Sequence, residues 1–430
     1  MHTLEQLRDG SLAGITRLRL ACGLTEFPRE IFDLADTLEI LDLSGNALST
    51  LPDDLPRLTK LRVLFCSTNR FTVLPAVLGA CPSLTMVGFK SNSIREVPAT
   101  SLPAALRWLI LTDNAIPQLP ATIGNCTQLQ KLMLAGNQLA ELPPALAACS
   151  RLELLRIAAN RLTVLPEWLL TMPQLAWLAY AGNPFSPAEK ASTTAGIPWA
   201  SLQLQHQLGE GASGVISQAV LRDGADERAV AVKLFKGAIT SDGLPACELA
   251  ACISAGSHPN LIPVLGEIID HPDGVHGCVM ALIDPAFGNL AGPPSLDSCT
   301  RDIYAADKRF TFAALLRMAG GIASAAQQLH RRGISHGDLY AHNILHTRDG
   351  DALLGDFGAA SFFTPDSAHA AALQWLEVRA FGLLLGELMA RCDDDASGLE
   401  QLQRDCVQAS IAARPLFDDI AARLSDVPRR

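Results

Sequence analysis

The chain has 430 residues, 49% hydrophobic and 18% charged, with a formal net charge of −10. That length is too great for one ordinary core, and two folded domains of about 200 residues each are expected. The excess acid lies in the second half, because residues 1–195 carry 16 Lys and Arg against 16 Asp and Glu and the remainder 18 against 28; neither half has a basic footprint, which argues against nucleic-acid binding. The N-terminal MHTLEQLRDGSLAG has no basic segment leading into an apolar run, and nowhere do 18 apolar residues follow one another, so neither signal peptide nor membrane span is expected. The 11 cysteines form no CxxC and no Cys/His cluster of metal-ligand spacing, which points to a reduced, cytoplasmic protein.

From the N-terminus, residues 1–14 read as a capping helix. Asparagines then recur at 46, 69, 92, 114, 137, 160 and 183, with a step of 23 residues and a single step of 22. The surrounding pattern is clearest in LEILDLSGNALSTLP (Leu38 to Pro52) and LQKLMLAGNQLAELP (Leu129 to Pro143). A fixed period of this length means stacked units, none able to bury its apolar face alone. The alternating leucines predict one short parallel strand per unit, the Asn amide a bond to backbone where the chain leaves the strand, and Pro52, Pro75, Pro98, Pro120, Pro143 and Pro166 a break on the outer side. The pattern resembles the leucine-rich repeat over about residues 12–185, with LRLACGLTEFP (Leu18 to Pro28) as a shortened terminal unit. Cys81, Cys126 and Cys149 form a column read as small buried apolar residues.

The strand positions expected to face solvent form two rows. One is Ile40, Val63, Met86, Trp108, Lys131, Leu154 and Trp177; its neighbour is Asp42, Phe65, Gly88, Ile110, Met133, Arg156 and Ala179. Aromatic and Met side chains gathered this way suit a protein partner, with Phe65, Trp108, Met133 and Trp177 as anchors. The competing reading is that the rows are covered by the chain's own second domain or by a second copy. Residues 186–200, rich in Pro, Ser, Thr and Gly, read as a linker.

The second half carries four short motifs in order. LGEGASGV places Gly209, Gly211 and Gly214 in G-x-G-x-x-G ahead of Val215; RAVAVKLF ends Val-Ala-Val on Lys233; Glu248 lies on a helical stretch 15 residues later; and ISHGDLYAHNILHTRDGDALLGDFG holds Asp338, Asn343 and Asp356-Phe357-Gly358. A strand, not a helix, follows the glycines, which disfavours a dinucleotide fold. Carboxylates and an amide at these intervals suit phosphoryl transfer, which needs a group near the attacking hydroxyl and oxygen ligands for Mg²⁺.

Together the motifs resemble a protein kinase, residues 201–430, with an N-lobe to about residue 282 and a C-lobe from 283. The fold expected is thus an α/β leucine-rich repeat solenoid (1–185) followed by a two-lobed α+β kinase-like domain. The resemblance implies ATP and Mg²⁺ as cofactors, Asp338 as catalytic base, Lys233 on the phosphates and paired with Glu248, and Asn343 and Asp356 on metal. It implies an adenine site of Val215, Ala231, Met280 as gatekeeper, Ala281 and Leu282 as hinge, and Leu345 beneath. A serine/threonine protein kinase recruited by its repeats is the leading reading. A small-molecule phosphotransferase, since His-Gly-Asp also opens the catalytic loop of aminoglycoside- and choline-kinase-like proteins, and a pseudokinase scaffold are the alternatives.

The pattern departs from the family in places. Gly337 stands where most protein kinases carry an Arg that meets a phosphate on the activation segment, so Ser361, Thr364 and Ser367 have no expected counter-charge if phosphorylated. Tyr340 replaces the usual Lys, with His342 a substitute partial charge. The stretch from Gly358 to Glu377 is short and lacks Ala-Pro-Glu, Glu377 is expected to open a buried helix, and Arg414-Pro415 lacks its usual acidic partner.

Overall fold

The computed structural model describes residues 2–187, 196–211, 213–237, 239–240 and 242–428. Residues 188–195 of the expected linker lie outside the described residues. The chain divides into two compact units: residues 1–174 with 183–185, and residues 175–182 with 186–430.

The first unit opens on helix α1 (Leu4–Arg8), closed by a reciprocal cap in which the Gln6 N–H donates to Thr3 Oγ1 and the Thr3 N–H to Gln6 Oε1. The helix is shorter than the 1–14 expected, because Gly10 and Gly14 take positive φ and turn the chain out of it. Seven three-residue strands follow, β1 (Arg17–Arg19), β2 (Ile40–Asp42), β3 (Val63–Phe65), β4 (Met86–Gly88), β5 (Trp108–Ile110), β6 (Lys131–Met133) and β7 (Leu154–Arg156), each parallel to the next. Their central leucines and Val87 fill the core.

The asparagines explain the period. Asn69 Nδ2 donates to the carbonyls of Leu43 and Cys66 at 2.9 and 3.1 Å, and its Oδ1 accepts from the Leu48 N–H at 2.9 Å. Asn92, Asn114, Asn137 and Asn160 repeat this one unit further on, and Asn183 accepts from the Leu162 N–H at 3.0 Å and donates to the Ile157 carbonyl at 2.9 Å. One amide thus satisfies backbone groups of two successive repeats, which neither could do alone. Pro75, Pro120, Pro143 and Pro166 each sit extended ahead of a short 3₁₀ turn. Cys81, Cys126 and Cys149 are buried free thiols, as their column implied, and burial pushes Cys126 up to about 11 and Cys149 up to about 12.

The second unit contains the last repeat strand, β8 (Trp177–Ala179), and a lobe built on a six-stranded sheet. Its strands are β9 (Ile197–Pro198), β10 (Leu202–Glu210), β11 (Gly214–Asp223), β12 (Asp226–Phe235), β13 (Val264–Ile269) and β14 (Gly277–Ala281), ordered β10-β11-β12-β14-β13-β9. Ile197 and Pro198 pair in parallel with Ile268 and Ile269, so the last residues of the expected linker join this sheet. Leu202, Ala219, Leu221, Val230, Val232, Ile268 and Val279 form its core. Helix α2 (Pro245–Ala255) starts on a proline, which suits a first turn with no N–H to spare.

The remaining elements are β15 (Gly288–Asn289), α3 (Phe312–Arg331), β16 (Ile334–Ser335), β17 (Ile344–His346), β18 (Ala352–Leu354), β19 (Ser361–Phe362), α4 (Ala370–Met389), α5 (Glu400–Val407) and α6 (Phe417–Ser425). Two antiparallel pairings, β16 with β19 and β17 with β18, carry the functional loops. Helix α4 begins at Ala370, so Glu377 lies inside it and does not open it as expected. Among the described residues, no helix is long and apolar enough to cross a membrane.

Candidate active site

Lys233 sits near the end of β12, opposite Cys278 of β14, and points at α2. Its Nζ donates to Glu248 Oε1 and lies 3.8 Å from Asp356 Oδ1. Burial alone would depress the lysine, but the carboxylates of Asp356 and Glu248 outweigh it and hold the ammonium above its usual range. Glu248 Oε2 is buried with no hydrogen-bond partner among the described residues.

Two loops are laced to one another opposite this pair. Asn343 Nδ2 donates to Asp338 Oδ2 at 2.8 Å and to the Asp338 carbonyl at 2.9 Å. His336, fully buried, accepts from the Asp338 N–H at 3.3 Å through Nδ1, so its Nε2 donates to the Gly355 carbonyl at 2.9 Å. The Gly355 N–H donates to the Asn343 carbonyl at 3.0 Å. Asp356 follows at φ 54°, a left-handed backbone rare outside glycine, and its side chain stays 49% exposed. A loop in that conformation, pinned from both ends, turns the carboxylate away from the core and toward Lys233.

The glycines have unequal roles. A Cβ on Gly214 would collide with the Leu234 carbonyl of the neighbouring strand, whereas one on Gly209 or Gly211 would meet nothing. Gly214 is therefore required by packing, and the other two are not. Ala231 faces Met280 across β12 and β14, and Met280 packs on Phe235, Leu249 and Cys278. The Ala281 N–H is taken by the Pro263 carbonyl at 2.9 Å, and Leu282 follows it. Val215 lies in β11 opposite Leu234, and Leu345 in β17 opposite Leu353.

Sequence reasoning missed Asp302, in an irregular segment without a motif. Its buried carboxylate accepts from the His342 N–H at 3.0 Å and lies 2.7 Å from His342 Nδ1. Burial lowers the imidazole, but the Asp302 hydrogen bond and the charge of Asp338 outweigh it and raise His342 above its ordinary value. Arg414 donates to the carbonyls of Gln408 and Trp375 at 3.1 Å; burial, with Arg379 adding to it, lowers it to about 10.

The concave rows need correction. Trp177 is 2% exposed, its ring stacked on Tyr340 with centroids 4.0 Å apart, and its Nε1 donates to the Leu339 carbonyl at 3.1 Å. It is not a free docking anchor, because the catalytic loop of its own unit covers it. Val63, Met86, Lys131 and Leu154 are also buried, and Phe65, Trp108 and Met133 only half-exposed. Directly paired strands bring such side chains together, and the Lys131 ammonium lies 4.3 Å from the Trp108 ring centroid. Ser361, a candidate hydroxyl for phosphorylation, is 0% exposed.

Residues 202–379 match the family of protein tyrosine and serine/threonine kinases, and residues 37–58 match the leucine rich repeat. A protein kinase domain thus spans residues 202–379, and leucine-rich repeat sequence precedes it. The chain is 33% identical over 112 residues to mouse leucine-rich repeat and calponin homology domain-containing protein 1, covering 25% of this chain and 16% of that protein. It is 30% identical over 209 residues to mouse tyrosine-protein kinase ABL2, covering 44% of this chain and 16% of that protein. Against a probable cyclin-dependent kinase 10 of Dictyostelium discoideum it is 27% identical over 190 residues, covering 43% and 48%. The chain thus spans less than half the length of these relatives.

Proposed function

We propose that the chain is an ATP- and Mg²⁺-dependent protein kinase acting on serine or threonine hydroxyls in the cytoplasm, with its repeats contributing a protein-binding surface that includes Phe65, Trp108 and Met133. The observation that carries the reading is the convergence of Lys233, Glu248 and Asp356 on one side and Asp338 with Asn343 on the other. In this reading Lys233, held by Glu248, fixes phosphate oxygens, and Asp338 orients the acceptor hydroxyl and takes its proton. The Asn343 amide and the Asp356 carboxylate are hard oxygen donors suited to Mg²⁺, which when bound neutralises the phosphates. Gly209, Gly211, Gly214, Val215, Ala231, Met280, Leu282 and Leu345 are assigned to the nucleotide.

A small-molecule phosphotransferase is the second reading. Only residues 359–369 separate Gly358 from α4, little chain for a platform under a peptide. Labelled ATP with Mg²⁺, given to the parent and to Asp338→Ala with protein acceptors and with aminoglycoside and choline-like alcohols, tests both. Label on protein that vanishes in the variant supports the kinase; label on small alcohols alone supports the second reading; label on neither overturns both.

A further inference from the structure

We infer that Trp177 and Tyr180 of the last repeat are positioning residues for the phosphotransfer site, holding its two loops in place of a phosphorylated activation segment and its arginine. The inference rests on the kinase reading above.

Residues 175–182 belong to the same compact unit as the lobes. Trp177 holds Leu339 and Tyr340, the two residues that follow Asp338, by one hydrogen bond and a stacked ring at an interplanar angle of 9°. Three residues on, Tyr180 holds the other loop. Its N–H and that of Ala181 both donate to Ser361 Oγ at 3.0 and 3.2 Å, and its hydroxyl donates to the Phe362 carbonyl at 3.2 Å. Ser361 and Phe362 are β19, which pairs with β16 immediately before His336-Gly337-Asp338. Four hydrogen bonds from one short segment therefore reach both flanks of Asp338.

Gly337 shows why the usual arrangement is absent. Its φ is 70°, and a Cβ there would stand 2.5 Å from the Ala359 carbonyl and 2.8 Å from the Leu178 carbonyl. The backbone of the last repeat fills the place where an arginine would begin. Ser361 cannot act as the switch either. It is fully buried, accepts two N–H groups and lies 3.4 Å from the Ala359 carbonyl, to which its own proton can go. A phosphate there would displace Tyr180. The segment that a phosphate orders elsewhere is here ordered by backbone and side-chain groups already in the chain.

The test uses the full chain and the variants Trp177→Ala, Trp177→Phe, Tyr180→Phe and Ser361→Ala, with kcat, KM for ATP, ATP affinity and melting temperature measured for each. Loss of loop geometry alone should lower kcat about 10- to 100-fold while ATP affinity and KM for ATP stay within about twofold, since the nucleotide is held by groups these residues do not touch. Trp177→Phe, which keeps a ring over Tyr340, should recover part of what Trp177→Ala loses. Should the alanine variant fail to fold, Tyr180→Phe removes a single oxygen and decides by the same split. Variants that transfer at the parental kcat overturn the inference and leave the kinase reading standing. A parallel fall in kcat and ATP affinity also overturns it, by showing a merely structural role. A parent that transfers no phosphate overturns the kinase reading and the inference together.

Discussion

The Glu377 carboxylate accepts a hydrogen bond from the Gly337 N–H at 2.8 Å, so a side chain in the middle of α4 fixes the backbone one residue before Asp338. Its other oxygen lies 2.6 Å from His330 Nε2 on α3. The pair joins both large helices of the C-lobe to the catalytic loop through one buried acid.

Burial would raise Glu377, but His330 and the Gly337 N–H hold it below the usual carboxylate range. A depressed carboxyl binds its proton more weakly folded than unfolded. Its stabilisation is therefore complete above the ordinary value near 4.5 and is lost as pH falls through the lower folded value. Glu377→Gln should flatten the acid limb of a melting-temperature profile below about pH 5. Glu377→Ala, which strands a buried imidazole and an N–H, should cost about 3–5 kcal/mol in urea unfolding. An unchanged acid limb would remove Glu377 from this role.

Gly337→Arg would restore the family's usual residue yet should not restore its regulation. A non-glycine residue at φ 70° meets two carbonyls, so the variant should lose more than about 2 kcal/mol of stability. Phosphatase treatment of the parent should leave its activity unchanged. A folded, phosphatase-sensitive Gly337→Arg protein would contradict both expectations.

On the proposed reading, the site separates into groups that act on nucleotide and one that acts on the acceptor. Asp338→Ala should lower transfer about 10²- to 10⁴-fold with ATP affinity nearly intact, because its carboxylate faces Asn343 and not the Lys233 pair. Lys233→Ala and Asp356→Ala should weaken nucleotide binding as well, and Lys233→Ala should also destabilise the fold by leaving Glu248 buried without its cation. Titrating labelled nucleotide against each variant separates the two classes.

Which residues were legible beforehand follows from how local their signals are. Lys233, Asp338, Asn343 and Asp356 sit in motifs of three to seven residues, and the asparagine period is a repeat that can be counted along the chain. Trp177 was misread because strand alternation tells which face a side chain takes and not what covers that face, and its cover, Leu339, lies 162 residues away. Asp302 had no pattern at all: it sits between β15 and α3 and acquires its role only through the hydrogen bonds to His342. Glu377 was recognised by its place after the Asp-Phe-Gly, yet the start of α4 was placed seven residues late, because the HAAALQW stretch carries no cap.

The last prediction concerns a second, half-buried acid on α4. Glu387 Oε2 accepts from the Tyr304 hydroxyl at 3.0 Å, and the Arg391 guanidinium lies 3.8 Å from the Tyr304 ring centroid. Burial pushes Glu387 up to about 7; the Tyr304 bond and the two nearby arginines, Arg301 and Arg391, only partly oppose it. The sign is opposite to that of Glu377. Between the ordinary value of 4.5 and about 7 the folded chain binds a proton that the unfolded chain does not, so stability falls as pH rises through that window. The uncharged isostere has no such loss. Glu387→Gln should therefore match the parent near pH 5 and exceed it by about 1–3 kcal/mol at pH 8, read from paired urea unfolding curves. A parent more stable than the variant at pH 8 would mean that Arg301 and Arg391 keep the carboxylate ionised in the fold, and the pH dependence assigned to Glu387 would have to be sought elsewhere.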